Sequence, residues 1–118
     1  MTQETNSKRY DLEDRTLSFA GRTRELVKKI PRGIANNEDA KQLIRASGSV
    51  GANYIEANES LSKKDFLMRI KICRKEAEET RYWLKLIAVN GEETVRDALI
   101  QEATELMNIF GAILRRSE

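Results

Sequence analysis

Histidine is absent from this 118-residue sequence, and cysteine and proline each occur once. Without histidine, the chain lacks the commonest general acid–base, the Ser-His and Cys-His nucleophile pairs, and the imidazole ligands of zinc and di-iron centres. The single cysteine, Cys73, has no partner for an intramolecular disulfide or a zinc site, so we predict a core residue in a reducing compartment. These absences exclude most familiar active sites, and we expect no enzyme activity, no metal and no cofactor.

Long apolar runs are absent as well. No run approaches the ~18 consecutive apolar residues of a membrane span, and the polar stretch 1–9 does not resemble a signal peptide. We therefore expect a cytoplasmic protein with no membrane partner. Apolar residues make up 40% and charged residues 34% of a chain with 6 glycines, a composition typical of long helices rather than of sheets. A chain of this length suits a single domain, residues 1–118.

Apolar side chains recur at steps of three and four residues, which is the period of one helix face. The pattern predicts a flexible N-terminus at 1–10 and four helices at about 11–29, 37–59, 63–89 and 92–116. Because the loops between them hold only a few residues, sequential helices are expected to run antiparallel. The predicted fold is all-α, an antiparallel up-down-up-down four-helix bundle.

Residues with special backbone or capping chemistry mark the predicted boundaries. Pro31 disfavours helical geometry in the residue before it, so the first helix ends there. Asn36 or Asn37 is predicted to cap the second helix. Ser62, with a carboxylate three residues later, resembles a capping box that opens the third helix, and the Asn-Gly pair at 90–91 is predicted to end it.

Two glycines, Gly48 and Gly51, fall in the middle of the second predicted helix. Each costs about 1 kcal/mol relative to alanine, so the pair either breaks the helix or lets another backbone approach closely. The apolar period continues through both positions. This continuity favours an unbroken helix that packs closely against a neighbour.

The third predicted helix carries a second apolar stripe beside its core stripe. At 100° per residue the two stripes together widen the apolar arc to about half of the circumference. One explanation is that a bundle helix touches two neighbours and needs a broad face. The other is a subunit interface, because aromatic residues are enriched at such surfaces. The candidate interface residues are Met68, Ile72, Tyr82, Trp83 and Leu86.

Basic residues are segregated along the chain, although the net charge is only +2. Residues 15–32 hold six basic residues and one acidic residue, and residues 63–75 hold the same numbers. Such rows are able to contact phosphates, although charged rows are also how soluble helices face water. In an antiparallel bundle these two groups lie at opposite ends, and symmetric repetition in an oligomer would bring them together. The candidate nucleic-acid-binding residues are Arg22, Lys28, Lys29, Arg32, Lys64, Lys71, Arg74 and Lys75.

Carboxylates on the second and third helices could in principle converge on a metal ion. Glu56, Glu76 and Glu79 are the candidates, but di-iron bundles also use Glu-x-x-His, and this chain has no histidine. Salt bridges to an arginine such as Arg45 or Arg81 are the favoured interpretation. Asn53 and Asn58 are interpreted as polar groups that fix helix register through interhelical hydrogen bonds.

One segment resembles a known family. It runs from Arg45 to Ala57 with the pattern Arg-x-Ser-x-Ser-Val-x-x-Asn-x-x-Glu, and Lys-Asp-Phe at 64–66 and a glutamate before Trp-Leu at 83–84 extend the likeness. The chain resembles, over about 10–115, the bacterial four-helix-bundle proteins encoded in intervening sequences of large-subunit ribosomal RNA genes, which are related to the accessory variability protein of diversity-generating retroelements. Ala57 stands where many members have Gly, and Glu76 where many have Ser. The residues that carry the motif are Arg45, Ser47, Ser49, Asn53, Glu56 and Glu79.

The resemblance implies a homopentamer arranged as a ring or barrel. For the retroelement relatives it also implies a basic surface that binds nucleic acid and a reverse transcriptase. We therefore expect a non-enzymatic, homo-oligomeric accessory protein that binds RNA or DNA through its basic rows. The alternative is a protein-interaction scaffold that touches no nucleic acid, and a carboxylate metal enzyme is the least favoured hypothesis.

Overall fold

The computed structural model describes the backbone of residues 2–117 and the side chains of residues 11–117. Four helices make up this part of the chain, which contains no β-strand: α1 (Thr2–Lys29), α2 (Ile34–Asn58), α3 (Lys63–Leu86) and α4 (Glu93–Ser117). They pack into a rod-shaped bundle of 47 × 24 × 20 Å. The predicted all-α four-helix fold is confirmed. Within the described residues, no helix has a stretch apolar enough to cross a bilayer.

α1 and α2 approach closely because α2 carries glycine at the contact. A Cβ at Gly51 would lie 2.8 Å from Thr16 Oγ1, and one at Gly48 would lie 3.4 Å from Arg24 Nη2. α2 is unbroken through both positions, as predicted. The later residue of α1, Arg24, faces the earlier glycine of α2, Gly48, and the earlier residue Thr16 faces Gly51. These contacts therefore fit antiparallel neighbours.

α2 and α3 form the most extensive helix contact in the bundle. At the middle of α2, Arg45 Nη2 lies 3.4 Å from Glu76 Oε1, in the second half of α3. Further along α2, the Asn53 side-chain oxygen accepts a 2.9 Å hydrogen bond from Arg69, in the first half of α3. These pairs also fit an antiparallel arrangement.

α4 completes the bundle through α3 and, less extensively, through α1. On the α3 side, Arg81 Nη1 donates a 3.2 Å hydrogen bond to Thr104 Oγ1. On the α1 side, Arg15 Nε lies 2.7 Å from Glu102 and its Nη2 lies 2.8 Å from Glu105. The hydrogen bonds that Arg15 donates to both carboxylates raise its pKa, chiefly through Glu102.

The core draws buried side chains from every helix, among them Phe19, Leu43, Ile70 and Phe110. Cys73 lies in this core and is fully buried, as predicted. Burial away from water raises the pKa of its thiol to about 12.

The predicted start of α2 is wrong. α2 begins at Ile34 with Gly33 at the N-cap, and no side chain caps it. Asn36 instead uses its amide to donate to the carbonyls of Pro31 (2.9 Å) and Ala88 (2.8 Å), and it accepts from the Ala88 N–H at 3.1 Å. These hydrogen bonds of the Asn36 side chain therefore tie the α1–α2 turn to the segment after α3.

The predicted end of α3 is also wrong. The helix stops at Leu86 rather than near residue 89, and Ile87 is extended (φ −68°, ψ 141°). Ile87 and Val89 are both buried, and an extended strand-like segment places alternate side chains on the same face. The segment is therefore extended so that both side chains are buried on one face, and the helix does not continue for another turn. Asn90 and Gly91 have positive φ values of 34° and 99° and form the turn that follows.

α1 begins at Thr2, nine residues before the predicted start at about 11. Residues 2–10 contain neither glycine nor proline, so nothing in their backbone chemistry stops a helix. The side chains of residues 1–10 lie outside the described residues, and the predicted flexibility of this segment stays a prediction.

Candidate nucleic-acid interface

α3 carries most of the predicted site residues, and its start is fixed by a side-chain cap. Ser62 Oγ accepts a 3.1 Å hydrogen bond from the Asp65 backbone N–H, which satisfies one of the free donors of the first turn. The carboxylate of Asp65 also lies in that turn, where the positive end of the helix dipole favours it. The cap predicted from the sequence is present.

Three lysines form a straight row on the outer surface of α3. Lys64, Lys71 and Lys75 are separated by seven and four residues, which places them within about 40° of one another around the helix axis. All three are exposed. None makes an ion pair or a side-chain hydrogen bond with any residue from 11 to 117. These residues are named the lysine row.

Two other charged residues border the lysine row. Arg74 is exposed on one side of it and has no ion-pair partner among the described side chains. Glu78 is also exposed and lies about 40° from Lys64 around the axis. Its negative charge weakens the positive potential of the row.

The other predicted basic residues lie on α1 and in the turn after it. Arg22, Lys28, Lys29 and Arg32 are exposed, but Lys28 Nζ is paired with Glu25 at 2.9 Å. This group lies towards the α1–α2 turn. The Asn36 side chain joins that turn to Ala88, two residues after the end of α3. The lysine row lies about 17–33 Å from that end along α3, and α1 makes no helix contact with α3. One copy therefore presents two basic groups rather than a single patch.

The predicted interface residues of α3 divide into an exposed and a partly buried set. Met68, Tyr82 and Leu86 are 51%, 57% and 53% exposed. Ile72 is half-buried, and Trp83 packs against the core. Trp83 thus packs within the bundle, as the broad-face interpretation of this stripe predicts. Met68, Tyr82 and Leu86 are open to solvent, which leaves them available for a subunit interface.

Tyr82 and Trp83 contact each other through their rings. The ring centroids are 5.0 Å apart and the planes meet at 81°, an edge-to-face arrangement. The indole Nε1 of Trp83 is buried and has no hydrogen-bond acceptor among the described residues. Tyr82 itself lies 18 residues after Lys64, which is close to five full turns, so it falls on the line of the lysine row.

The family motif lies mainly at the contact of α2 with α3. Arg45 forms ion pairs with both Glu76 and Glu79, and the predicted contact with Glu79 is present. Ser47 is buried and donates to the Ile44 carbonyl at 3.2 Å. The Ser49 carbonyl accepts a 2.8 Å hydrogen bond from the Asn53 side chain. The Arg45 ion pairs link α2 to α3, whereas the Ser47 and Asn53 hydrogen bonds lie within α2.

Arg69 is a member of this network that the sequence analysis missed. Its guanidinium donates to the Asn53 side chain at 2.9 Å and lies 4.0 Å from Glu56. Arg69 precedes Glu76 and Trp83 at steps of seven residues, a spacing that would have placed it on the face towards α2. The other predicted interhelical asparagine, at position 58, donates to a carboxylate of α1 at 2.9 Å.

Of the carboxylates weighed as metal ligands, Glu76 and Glu79 both pair with Arg45, whereas Glu56 lies near Arg69. No group of three or more cysteine, aspartate or glutamate side chains within 11–117 could hold a metal ion. A cavity of about 740 Å³ is lined by residues of all four helices, among them Leu12, Tyr54, Phe66 and Ile113. None of the predicted site residues lines it.

Comparison with known proteins assigns the family. The chain matches the model described as 23S rRNA-intervening sequence protein over residues 8–112. A similar solved structure is a protein of unknown function from the S23 ribosomal protein family of Bacteroides thetaiotaomicron VPI-5482, with 30% identity, a TM-score of 0.76, and coverage of 92% of this chain and 98% of that chain. Among curated proteins no match is found. The family match covers most of the sequence, and the chain belongs to the 23S rRNA-intervening sequence protein family.

Proposed function

We propose that this protein binds nucleic acid without catalysing a reaction and that it works as a homo-oligomer. The observation that carries the proposal is the lysine row, three exposed cations on one line of α3 without ion-pair partners among the described residues. The family description and the solved relative name no catalytic activity.

The lysine row suits phosphate contact for two reasons. Its cations need not break an internal salt bridge before they bind, in contrast to Lys28, which is paired with Glu25. The row from Lys64 to Lys75 also extends about 16 Å along the helix. A strand with about 3.4 Å between stacked nucleotides presents roughly five phosphates over that length. Contacts of this kind favour binding with little sequence preference.

Assembly of several copies would join basic groups that one copy keeps apart. The exposed side chains of Met68 and Leu86, with Ile72 and Trp83 beside them, are the surface that we assign to contact between copies. Methionine and aromatic side chains such as Met68 and Trp83 are enriched at interfaces between proteins. A pentameric ring is the arrangement that the family resemblance implies, and a protein partner such as a reverse transcriptase would bind to that assembly.

Binding of a labelled single-stranded RNA at several salt concentrations tests the proposal. We expect the logarithm of the binding constant to fall linearly with the logarithm of salt concentration, because phosphate contacts release counterions. Lys71→Gln should reduce that slope by about 0.7, the value for one phosphate contact on a single strand. Lys41→Gln is the matched control, because Lys41 is already paired with Glu38 at 3.2 Å.

The outcomes separate the proposal from its alternative. No binding at low salt, or binding that salt does not weaken, contradicts the phosphate-contact mechanism. If the protein nevertheless forms an oligomer that captures a protein after nuclease treatment, the protein-interaction scaffold is the better account. The half-exposed Met68, Tyr82 and Leu86 are the observation that favours this second candidate.

A further inference from the structure

Tyr82 extends the line of the lysine row. It follows Lys75 by seven residues, so it lies about 20° away from Lys75 around the axis and about 10 Å further along α3. Its side chain is 57% exposed. An aromatic ring open to solvent thus stands in line with three cations that have no ion-pair partner among the described residues.

The ring of Tyr82 is held in place without being covered. It contacts the partly buried Trp83 edge-to-face, with an angle of 81° between the planes. Trp83 in turn packs against the core, so one side of the tyrosine has a fixed support. The two rings do not stack in parallel, and Tyr82 keeps more than half of its surface in solvent.

The lysine row indicates which partner would cover Tyr82, and the exposed Glu78 stands between Lys75 and the ring. A second copy docking directly over the lysine row by twofold symmetry would bring two rows together, and like charges across an interface are unfavourable. The side chains assigned above to contact between copies, Met68 and Leu86, lie about 40° to one side of Tyr82 around the axis. An apolar protein surface would have to desolvate the row without pairing it. A polyanion with aromatic groups matches both the cations and the ring, and nucleic acid has both.

We propose that Tyr82 is a base-stacking platform at the end of the lysine row, which makes single-stranded nucleic acid the ligand. The inference rests on the proposed function and deepens it. In a duplex the faces of the bases are already stacked inside the helix, whereas an unpaired base offers its face to an aromatic side chain. The lysines would hold the phosphates while the tyrosine holds a base.

The test compares a fluorescently labelled 12-mer of thymidylate with an abasic strand of the same length and with a 12-base-pair duplex. Tyr82→Ala should weaken binding of the 12-mer by about 5- to 150-fold, the range measured for loss of one stacked base. Tyr82→Phe keeps the ring and should bind like the parent protein. Tyr82→Leu keeps apolar bulk without an aromatic face and should bind as weakly as Tyr82→Ala. On the abasic strand all of these proteins should bind equally, because no base is present.

The salt dependence of binding and the tryptophan fluorescence complete the test. The salt slope for the 12-mer should be the same in Tyr82→Ala and in the parent, whereas Lys71→Gln should lower it, because only the lysine contacts phosphate. Trp83 is the only tryptophan of the chain, and its fluorescence should change when the 12-mer binds and stay unchanged with the abasic strand.

Three results would overturn the inference: tighter binding to the duplex than to the 12-mer, an unchanged affinity in Tyr82→Ala, or an equal loss on the abasic strand. A change of molar mass in Tyr82→Ala by light scattering would also overturn it, because the ring would then belong to a contact between copies. If Lys71→Gln still lowers the salt slope in those cases, the proposed function stands without the stacking site. If the parent protein binds none of the three ligands, the proposed function itself fails.

Discussion

Two substitutions in the middle of α2 should change stability in opposite directions. Alanine is favoured over glycine in a helix interior by about 1 kcal/mol, so Gly48→Ala and Gly51→Ala share the same local gain. Their surroundings differ. The Cβ added at Gly48 would meet only the Arg24 guanidinium, at 3.4 Å, whereas the Cβ added at Gly51 would lie 2.8 Å from Thr16 Oγ1 and 3.1 Å from Thr16 Cβ.

Thr16 cannot move aside easily. It is buried, and its hydroxyl donates to the carbonyls of Leu12 at 2.8 Å and Glu13 at 3.1 Å. Overpacking of a filled contact costs about 1–3 kcal/mol. We therefore expect Gly51→Ala to lower the free energy of unfolding by about 1 kcal/mol after the helix gain is subtracted. Gly48→Ala should raise it by about 0.5–1 kcal/mol, since the exposed arginine head can shift.

Urea unfolding followed by circular dichroism measures both changes. Protomer concentration must be the same in every sample, because oligomerisation shifts apparent stability. Introducing Thr16→Ala together with Gly51→Ala removes the closest atom, and the double variant should be about 1 kcal/mol more stable than the sum of the single changes predicts. Equal stability of Gly48→Ala and Gly51→Ala would refute the close approach of α1 and α2.

Three further expectations concern other parts of the molecule. Asn36→Ala should lower the free energy of unfolding by about 1–2 kcal/mol in urea, because the amide makes three hydrogen bonds across the end of the bundle; Asn36→Asp keeps the acceptor for the Ala88 N–H and should lose less. The Cys73 thiol, whose pKa burial raises from 9.0 to about 12, should resist thiol reagents at pH 8 until the protein unfolds. Below pH 9 both states keep that proton, whereas at higher pH only the unfolded thiol ionises, so the contribution of Cys73 to stability should decline from pH 9 towards pH 12; labelling of the native protein at pH 8 would contradict its burial. Met68→Glu with Leu86→Glu should dissociate an oligomer formed through this surface without unfolding the helices, and an unchanged molar mass by light scattering would remove the surface from the interface.

The apolar period predicted the parts of the fold that depend on one helix at a time. Ile70, Cys73, Ala77, Thr80 and Leu84 follow each other at three- and four-residue steps, and all are fully buried. The exposure of the lysine row follows from the same period, because a residue opposite a buried stripe faces solvent.

The boundaries of the helices depended on contacts that no local pattern contains. Asn36 has good capping chemistry, but the Ala88 backbone, 52 residues away in the chain, occupies its side chain. Ile87 and Val89 continue an apolar period that suits a helix, yet both are buried in a segment outside the helix. In each case a tertiary contact overrides a local preference.

In the candidate site too, the sequence predicted some contacts and missed others that depend on how the helices pack. The motif pointed to Arg45 and Glu79, which do meet, but the partner of Glu56 is Arg69 rather than the arginines proposed from the sequence. Which arginine reaches which carboxylate depends on how two helices are rotated against each other, a quantity that spacing along one helix does not determine.

Photo-crosslinking tests the central claim most directly. A single-stranded 12-mer RNA that carries a photoreactive base is irradiated with the unmodified protein, and the cross-linked peptides are mapped by mass spectrometry. The proposed interface predicts that cross-links concentrate between Lys64 and Tyr82 on α3, and that they diminish as salt rises. Cross-links confined to α2 and α4, or a complete lack of cross-links at low salt, would contradict it.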